Sequence, residues 1–234
     1  MFESKLFHPS SRPTGHGITI GTPRLYDLSA RVFFFGTRRR SYQSLMAAAG
    51  VKAGDRVLDL GCGPGYFVRI LAEAVGPTGS AVGIDAAPEM IDYARRKAGR
   101  LSNCRFESGS GEALPFSDAS FDVVVSSLML HHLPDELRLQ AAAEMKRVLR
   151  PGGAVLVADF TIPERGAWHL LAAITGHAGG QMIRRVSPVE PLVAEAGFIG
   201  PLSGEAPPWL HYVRAIKPRA ATWSNRDLAP GPTA

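Results

Sequence analysis

Apolar and polar positions change rhythm along this chain, and the changes mark out its elements. Residues 26–49 set apolar positions at helical spacing, with a break near Gly36, and Gly50 and Gly54 close the helical stretch. A short apolar run at 56–60 predicts a buried strand, followed by a glycine loop at 61–65 and an amphipathic helix at 66–75. The beat repeats with a strand at 80–84 ended by Asp85, a helix at 88–99 with Pro88 near its start, and a short strand at 104–108. Residues 121–128 are mostly apolar on both faces, as a central parallel strand should be. A long amphipathic helix at 135–148 and a fifth strand at 153–160 complete the alternation. Repeated strand–helix units predict an α/β fold. It is a Rossmann-like three-layer sandwich with a mostly parallel seven-stranded sheet and helices on both faces.

The ends differ from the middle. Residues 1 to about 22 are rich in Pro, Ser, Gly and Thr and predict a loose arm, so 1–50 forms an N-terminal helical arm and cap. Residues 51–217 form the main domain, with 166–186 as a candidate lid insertion carrying Trp168 and His169. A helix at 187–197 and two closing strands at 198–205 and 209–216 precede a flexible tail at 218–234.

Composition narrows the function classes. No stretch approaches the roughly 20 apolar residues of a membrane span, and the first residues lack an apolar leader core. Cys62 and Cys104 stand alone, without zinc spacing or a disulfide framework. This fits a reducing cytoplasm, predicts no metal site and weighs against iron–sulfur radical chemistry. The net charge of +5 gathers in short runs at 38–40, 95–97 and 184–185. These predict solvated helix faces with a few carboxylate partners, because no aromatic residues interleave as single-strand nucleic-acid binding requires.

The candidate chemistry begins at Asp59-Leu60-Gly61-Cys62-Gly63-Pro64-Gly65. A strand runs into a loop with glycine at three alternate positions and then into a helix. Such a loop lets a ligand lie close to the backbone, and the helix N-terminus favours a carboxylate or phosphate. Asp59 ends the strand, where its carboxylate suits an ammonium group. Asp85 ends the second strand, placed to accept hydrogen bonds from two ribose hydroxyls. A dinucleotide is disfavoured: the third glycine of its fingerprint falls at Tyr66, and Asp59 repels a pyrophosphate. A donor with an ammonium and no phosphate fits better.

The run VLDLGCGPGYF resembles motif I of class I S-adenosylmethionine-dependent methyltransferases, and GIDAAPEMIDYAR resembles their ribose-binding motif. The segments GSGEALPFSDASFDVVVSSLMLHHLPD and RVLRPGGAVLVADF are similar to their adenine, acceptor-side and fifth-strand motifs. The resemblance covers residues 24–217 and is nearest to quinone C-methyltransferases and phospholipid N-methyltransferases. It implies S-adenosyl-L-methionine as cofactor, S-adenosyl-L-homocysteine as product and a small-molecule methyl acceptor as partner, with lipophilic or aromatic compounds as the candidates. It implies that Asp59, Gly61, Gly63 and Gly65 cradle the methionine portion, and that Asp85 holds the ribose with Ala86 and Met90 beside the adenine. Ser110 and Gly111 approach the adenine edge, Ser110 standing where the family usually has Asp or Asn, and Ser127 matches a cofactor-side position.

Two further residues are candidates. Tyr26 is placed to close over the cofactor, against a plain role as a core aromatic. His131, just beyond the fourth strand, is the candidate catalytic base, with packing and capping as the competing roles; His132 ranks below it. Two alternative functions remain, a non-catalytic cofactor-binding regulator and a nucleic-acid methyltransferase. The sequence leaves the oligomeric state open.

Overall fold

The computed structural model describes residues 11–14, 17–20, 22–160 and 189–219. The chain opens with a short antiparallel hairpin, β1 (Ser11–Thr14) and β2 (Gly17–Ile20), where the composition predicts a loose arm. Two helices come next, α1 (Pro23–Phe33) and α2 (Arg38–Ala49). The break between them falls where expected, at Phe35 (φ 44°) and Gly36 (φ 77°).

The alternation then unfolds as β3 (Arg56–Leu60), α3 (Tyr66–Val75), β4 (Ser80–Asp85), α4 (Pro88–Ala98), β5 (Cys104–Ser108), β6 (Phe121–Ser127), α5 (Asp135–Val148) and β7 (Leu149–Phe160). The described residues end with α6 (Val189–Glu195), β8 (Ile199–Ala206) and β9 (Leu210–Ile216). The candidate lid at 166–186 and the tail beyond 219 lie outside the described residues.

The seven strands lie in the order β5-β4-β3-β6-β7-β9-β8. The first five are parallel, and β9 and β8 close the sheet antiparallel. Strand β7 starts four residues earlier than its apolar run suggests. Backbone bonds between Gly152 and Lys217 and between Lys217 and Gly153 tie this segment to the end of β9, with Gly152 at φ 79°, and the Lys217 ammonium donates to the Leu149 carbonyl at 2.7 Å.

Side-chain alternation sorts the core into two layers. Val57, Val123 and Val125 face the layer holding Leu45, Phe67, Leu71 and Ile91, from α2, α3 and α4. Leu58, Leu60 and Val124 face the other, with Met145, Val148 and Val193 from α5 and α6. Strand β3 has β4 on one side and β6 on the other, so the winding direction reverses there. That reversal opens a crevice above the carboxyl ends of β3 and β6.

Candidate active site

The loop between β3 and α3 is held from below. The amides of Gly61 and Cys62 both donate to the Ile84 carbonyl, at 2.9 and 3.0 Å, and Gly65 donates back to Cys62 at 3.0 Å. Two glycines are sterically required. A Cβ at Gly61 (φ 76°) would stand 2.1 Å from Cγ of Met129, and one at Gly65 (φ 70°) would meet the Phe106 ring at 2.5 Å and Ala94 at 2.8 Å. Cys62 is a loop filler, as its surroundings suggest. It is buried against Gly83, and burial pushes its thiol well above the usual range.

Two connected tasks divide the crevice. An open cleft, with a cavity volume of about 90 Å³, is lined by Gly61, Gly63, Asp85, Ala86, Met90, Ser110 and Gly111, with Tyr26, Met129 and His132 completing the lining. A smaller recess, with a cavity volume of about 20 Å³, is lined by Asp59, Ser127, Arg38, Tyr42, Tyr66 and again Tyr26, Gly61 and Gly63. The two share Tyr26 and the glycine loop, so one elongated ligand can run through both.

The carboxylates differ in role. Asp85 accepts from the Gly63 amide at 2.8 Å and from the Ala87 amide at 2.9 Å, tying the glycine loop to the start of α4. Burial pushes its pKa up, and these two N–H donors pull against that rise. Asp59 is 2% exposed and has no hydrogen-bond partner among the described residues. Burial, reinforced by the charge of Asp85, pushes its pKa to about 8. A buried carboxylate without a partner is the site's strongest demand for a cation.

Arg38 is the residue the sequence hides. It opens a run of three arginines, which predicts a solvated face, yet it is 7% exposed and lines the recess. Its guanidinium pairs with Asp27 at 2.6 Å and stacks 4.0 Å from the Tyr66 ring centroid. Arg39 does follow the expectation, in an exposed pair with Glu73 at 2.9 Å. The recess therefore holds one buried acid and one buried base, the complement of an amino-acid zwitterion.

His131 and His132 sit in a 3-10 turn, Leu130–His132, just past β6. His132 lines the cleft, whereas His131 is buried behind it, the ring centroids 4.1 Å apart. Nδ1 of His131 lies 2.9 and 3.1 Å from the two carboxylate oxygens of Asp159, at the end of β7. Nε2 is buried and unpartnered among the described residues. The turn is braced by Arg138, whose Nε donates to the carbonyls of Leu130 and Leu133 at 2.9 and 3.0 Å. Of the expected site residues, Gly65 and His131 line neither cavity: Gly65 serves the packing of α3, and His131 stands in the layer beneath the cleft wall.

Residues 57–153 match the methyltransferase domain family. That segment is a methyltransferase domain, and it sits in the fold of class I S-adenosylmethionine-dependent methyltransferases. A demethylmenaquinone methyltransferase of Staphylococcus aureus is 34% identical over 148 residues, covering 63% of this chain and 61% of that protein. An uncharacterized 37.1 kDa protein in transposon TN4556 of Streptomyces fradiae is 42% identical over 121 residues, covering 51% of this chain and 34% of that protein. The chain thus spans between a third and three fifths of these relatives. A solved S-adenosylmethionine-dependent methyltransferase of Aquifex aeolicus superposes with a TM-score of 0.65 at 21% identity, covering 84% of this chain and 98% of that one, and shows the shared fold. The methyl donor of a methyltransferase domain of this class is S-adenosyl-L-methionine. The buried Asp59, the Arg38 that lines the same recess and the open glycine loop fit that donor's charge pattern.

Proposed function

We propose that this protein is an S-adenosylmethionine-dependent methyltransferase acting on a small, lipophilic or aromatic acceptor. The observation that carries the reading is the buried, unpartnered Asp59 facing a recess that also holds Arg38. Bound there, S-adenosyl-L-methionine supplies a sulfonium-activated methyl group. Asp59 meets the ammonium of the methionine end, and Arg38 with the first turn of α3 meets its carboxylate. Asp85 accepts from the ribose hydroxyls with the lone pairs its two amide bonds leave free. Ala86 and Met90 cover one side of the adenine, and Ser110 and Gly111 its edge. Tyr26 closes the span between the two cavities and excludes water. Support for the lipophilic acceptor comes from the demethylmenaquinone methyltransferase relative and from the apolar wall of Leu128, Met129 and Leu133.

His131 is the proposed base; it stands behind the cleft wall, so a proton from the acceptor reaches it by way of the cleft-lining His132, whose ring centroid lies 4.1 Å away. With the Nδ1 proton of His131 given to Asp159, the tautomer leaves a lone pair on Nε2. Asp159 is then a positioning residue, orienting the ring from below.

Calorimetric titration of S-adenosylhomocysteine tests the core of the proposal. The expected result is micromolar binding that weakens about tenfold or more, roughly 1.4 kcal/mol, in Asp85→Ala, with NAD giving no heat. A protein that prefers NAD, or ignores both, overturns it.

The pKa of Asp59 adds a pH signature. Near 8 in the free protein, the carboxyl is mostly neutral at pH 6, and the ligand's ammonium needs it ionised. Affinity for S-adenosylhomocysteine is therefore expected to rise about tenfold from pH 6 to 7 and to level off above pH 8, with about one proton released on binding below that. Heats that do not depend on buffer ionisation, with a flat affinity, would contradict the assignment.

A further inference from the structure

Helix α1 is apolar on the wrong side for a helix that only packs. Tyr26 and Ala30 turn inward, to the cavities and the core. Leu25, Leu28 and Val32 turn outward, at 38%, 57% and 65% exposure, and Phe35 follows the helix at 67%. Their spacing of three and four residues places Leu25, Leu28 and Val32 on one stripe of the helix. Beyond the end of the stripe, Phe35 meets Trp209 of the turn between β8 and β9 edge-on, ring centroids 6.0 Å apart.

Charge selects the partner. Arg24 and Arg31, seven residues apart, run along one border of the stripe, both exposed and without an acidic partner among the described residues. Asp27 is the sole acid of α1, and it is spent on Arg38 and on the Tyr93 hydroxyl, so no exposed negative charge opposes an anionic surface. An apolar stripe bordered by arginines, with an aromatic pair at its end, is the pattern of a helix lying in a membrane interface.

We propose that the outer face of α1 docks on an anionic lipid bilayer and brings the cleft to its lipophilic acceptor. The geometry links the two: Tyr26 lines the cleft from the inner face of the same helix, so a bilayer meeting the stripe lies one helix away from the site. The purpose rests on the methyltransferase reading, but docking is measured without turnover.

The experiment is flotation of the full chain with phosphatidylglycerol–phosphatidylcholine vesicles and with pure phosphatidylcholine vesicles. Wild type is expected to float with the former, and Leu28→Ser/Val32→Ser to lower the bound fraction about tenfold or more. Arg24→Glu/Arg31→Glu removes the preference for the anionic lipid and the sensitivity to salt. Both pairs keep wild-type affinity for S-adenosylhomocysteine, since none of the four residues lines either cavity. Wild type that does not float, or serine variants that float equally well, overturns the proposal. So does a reversible dimer in sedimentation that the serine pair dissolves, because the stripe is then an interface between copies. Vesicle binding without S-adenosylhomocysteine binding leaves docking standing and removes the proposed function instead.

Discussion

Asp59→Asn is expected to weaken S-adenosylhomocysteine binding by about 2–5 kcal/mol, roughly thirtyfold or more, while making the unliganded protein more stable at pH 8. The two effects have one cause. Asp59 is 2% exposed and has no hydrogen-bond partner among the described residues, so its charge is costly there and useful only when a ligand ammonium arrives. Its folded pKa, near 8, lies above the unfolded value near 4. Its contribution to stability is therefore fully present below about pH 4 and is lost as the pH rises through about 8, at up to about 1.4 kcal/mol per pH unit. Asparagine keeps the shape and removes the titration. Thermal melts across this range should show the variant overtaking wild type as the pH rises, with the gap narrowing toward pH 5. Added S-adenosylhomocysteine should reverse the order at pH 8. A variant that binds like wild type, or melts below it at pH 8 without ligand, would show that Asp59 is structural.

This opposition between stability and binding explains what the sequence displays and what it conceals. Strand positions announce themselves through apolar runs, so β3, β4, β5 and β6 fall within a residue of expectation. Glycines that need positive φ announce themselves too, and Gly61 and Gly65 prove to be sites where a Cβ has no room. Of the cleft residues, Asp85 was legible from its place at the end of β4, and Ala86, Ser110 and Gly111 through the family resemblance. Arg38 was not. Its role depends on α2 packing against α3, β7 and β9, an arrangement that leaves no local pattern, and its two arginine neighbours mimic a surface run. Asp159 was hidden likewise, since the end of a fifth strand gives no hint that it lies 2.9 Å from a histidine 28 residues earlier. The extension of β7 back to Leu149 was lost behind Pro151 and two glycines, which are tied to Lys217 of another segment. Helix α1 was legible as a helix, but which of its faces would turn to the cleft was not.

His131→Gln is expected to lower kcat by about 10²–10⁴ with little change in affinity for S-adenosylhomocysteine, the range for loss of a positioned base. Nδ1 is committed to the Asp159 carboxylate, which leaves Nε2 as the ring's only atom able to take a proton, and it is unpartnered. A base in this place also restricts the acceptor. It is required when the methylated O, N or C atom must shed a proton, and not for a nucleophile that is already anionic. In the balanced step, the acceptor's lone pair or carbanion forms the new bond to carbon and the C–S bond electrons stay on sulfur. The proton passes to Nε2 by way of His132. Asp159→Asn tests the orientation: the amide can present its N–H to Nδ1 and select the opposite tautomer, so kcat should fall while KM for the acceptor stays close to wild type. Melting temperature and S-adenosylhomocysteine affinity, measured on both variants, separate this from a bracing role. If both variants melt lower but turn over at the wild-type rate, His131 is a strut fastening the turn after β6 to the end of β7, and the cleft-lining His132 inherits the candidacy.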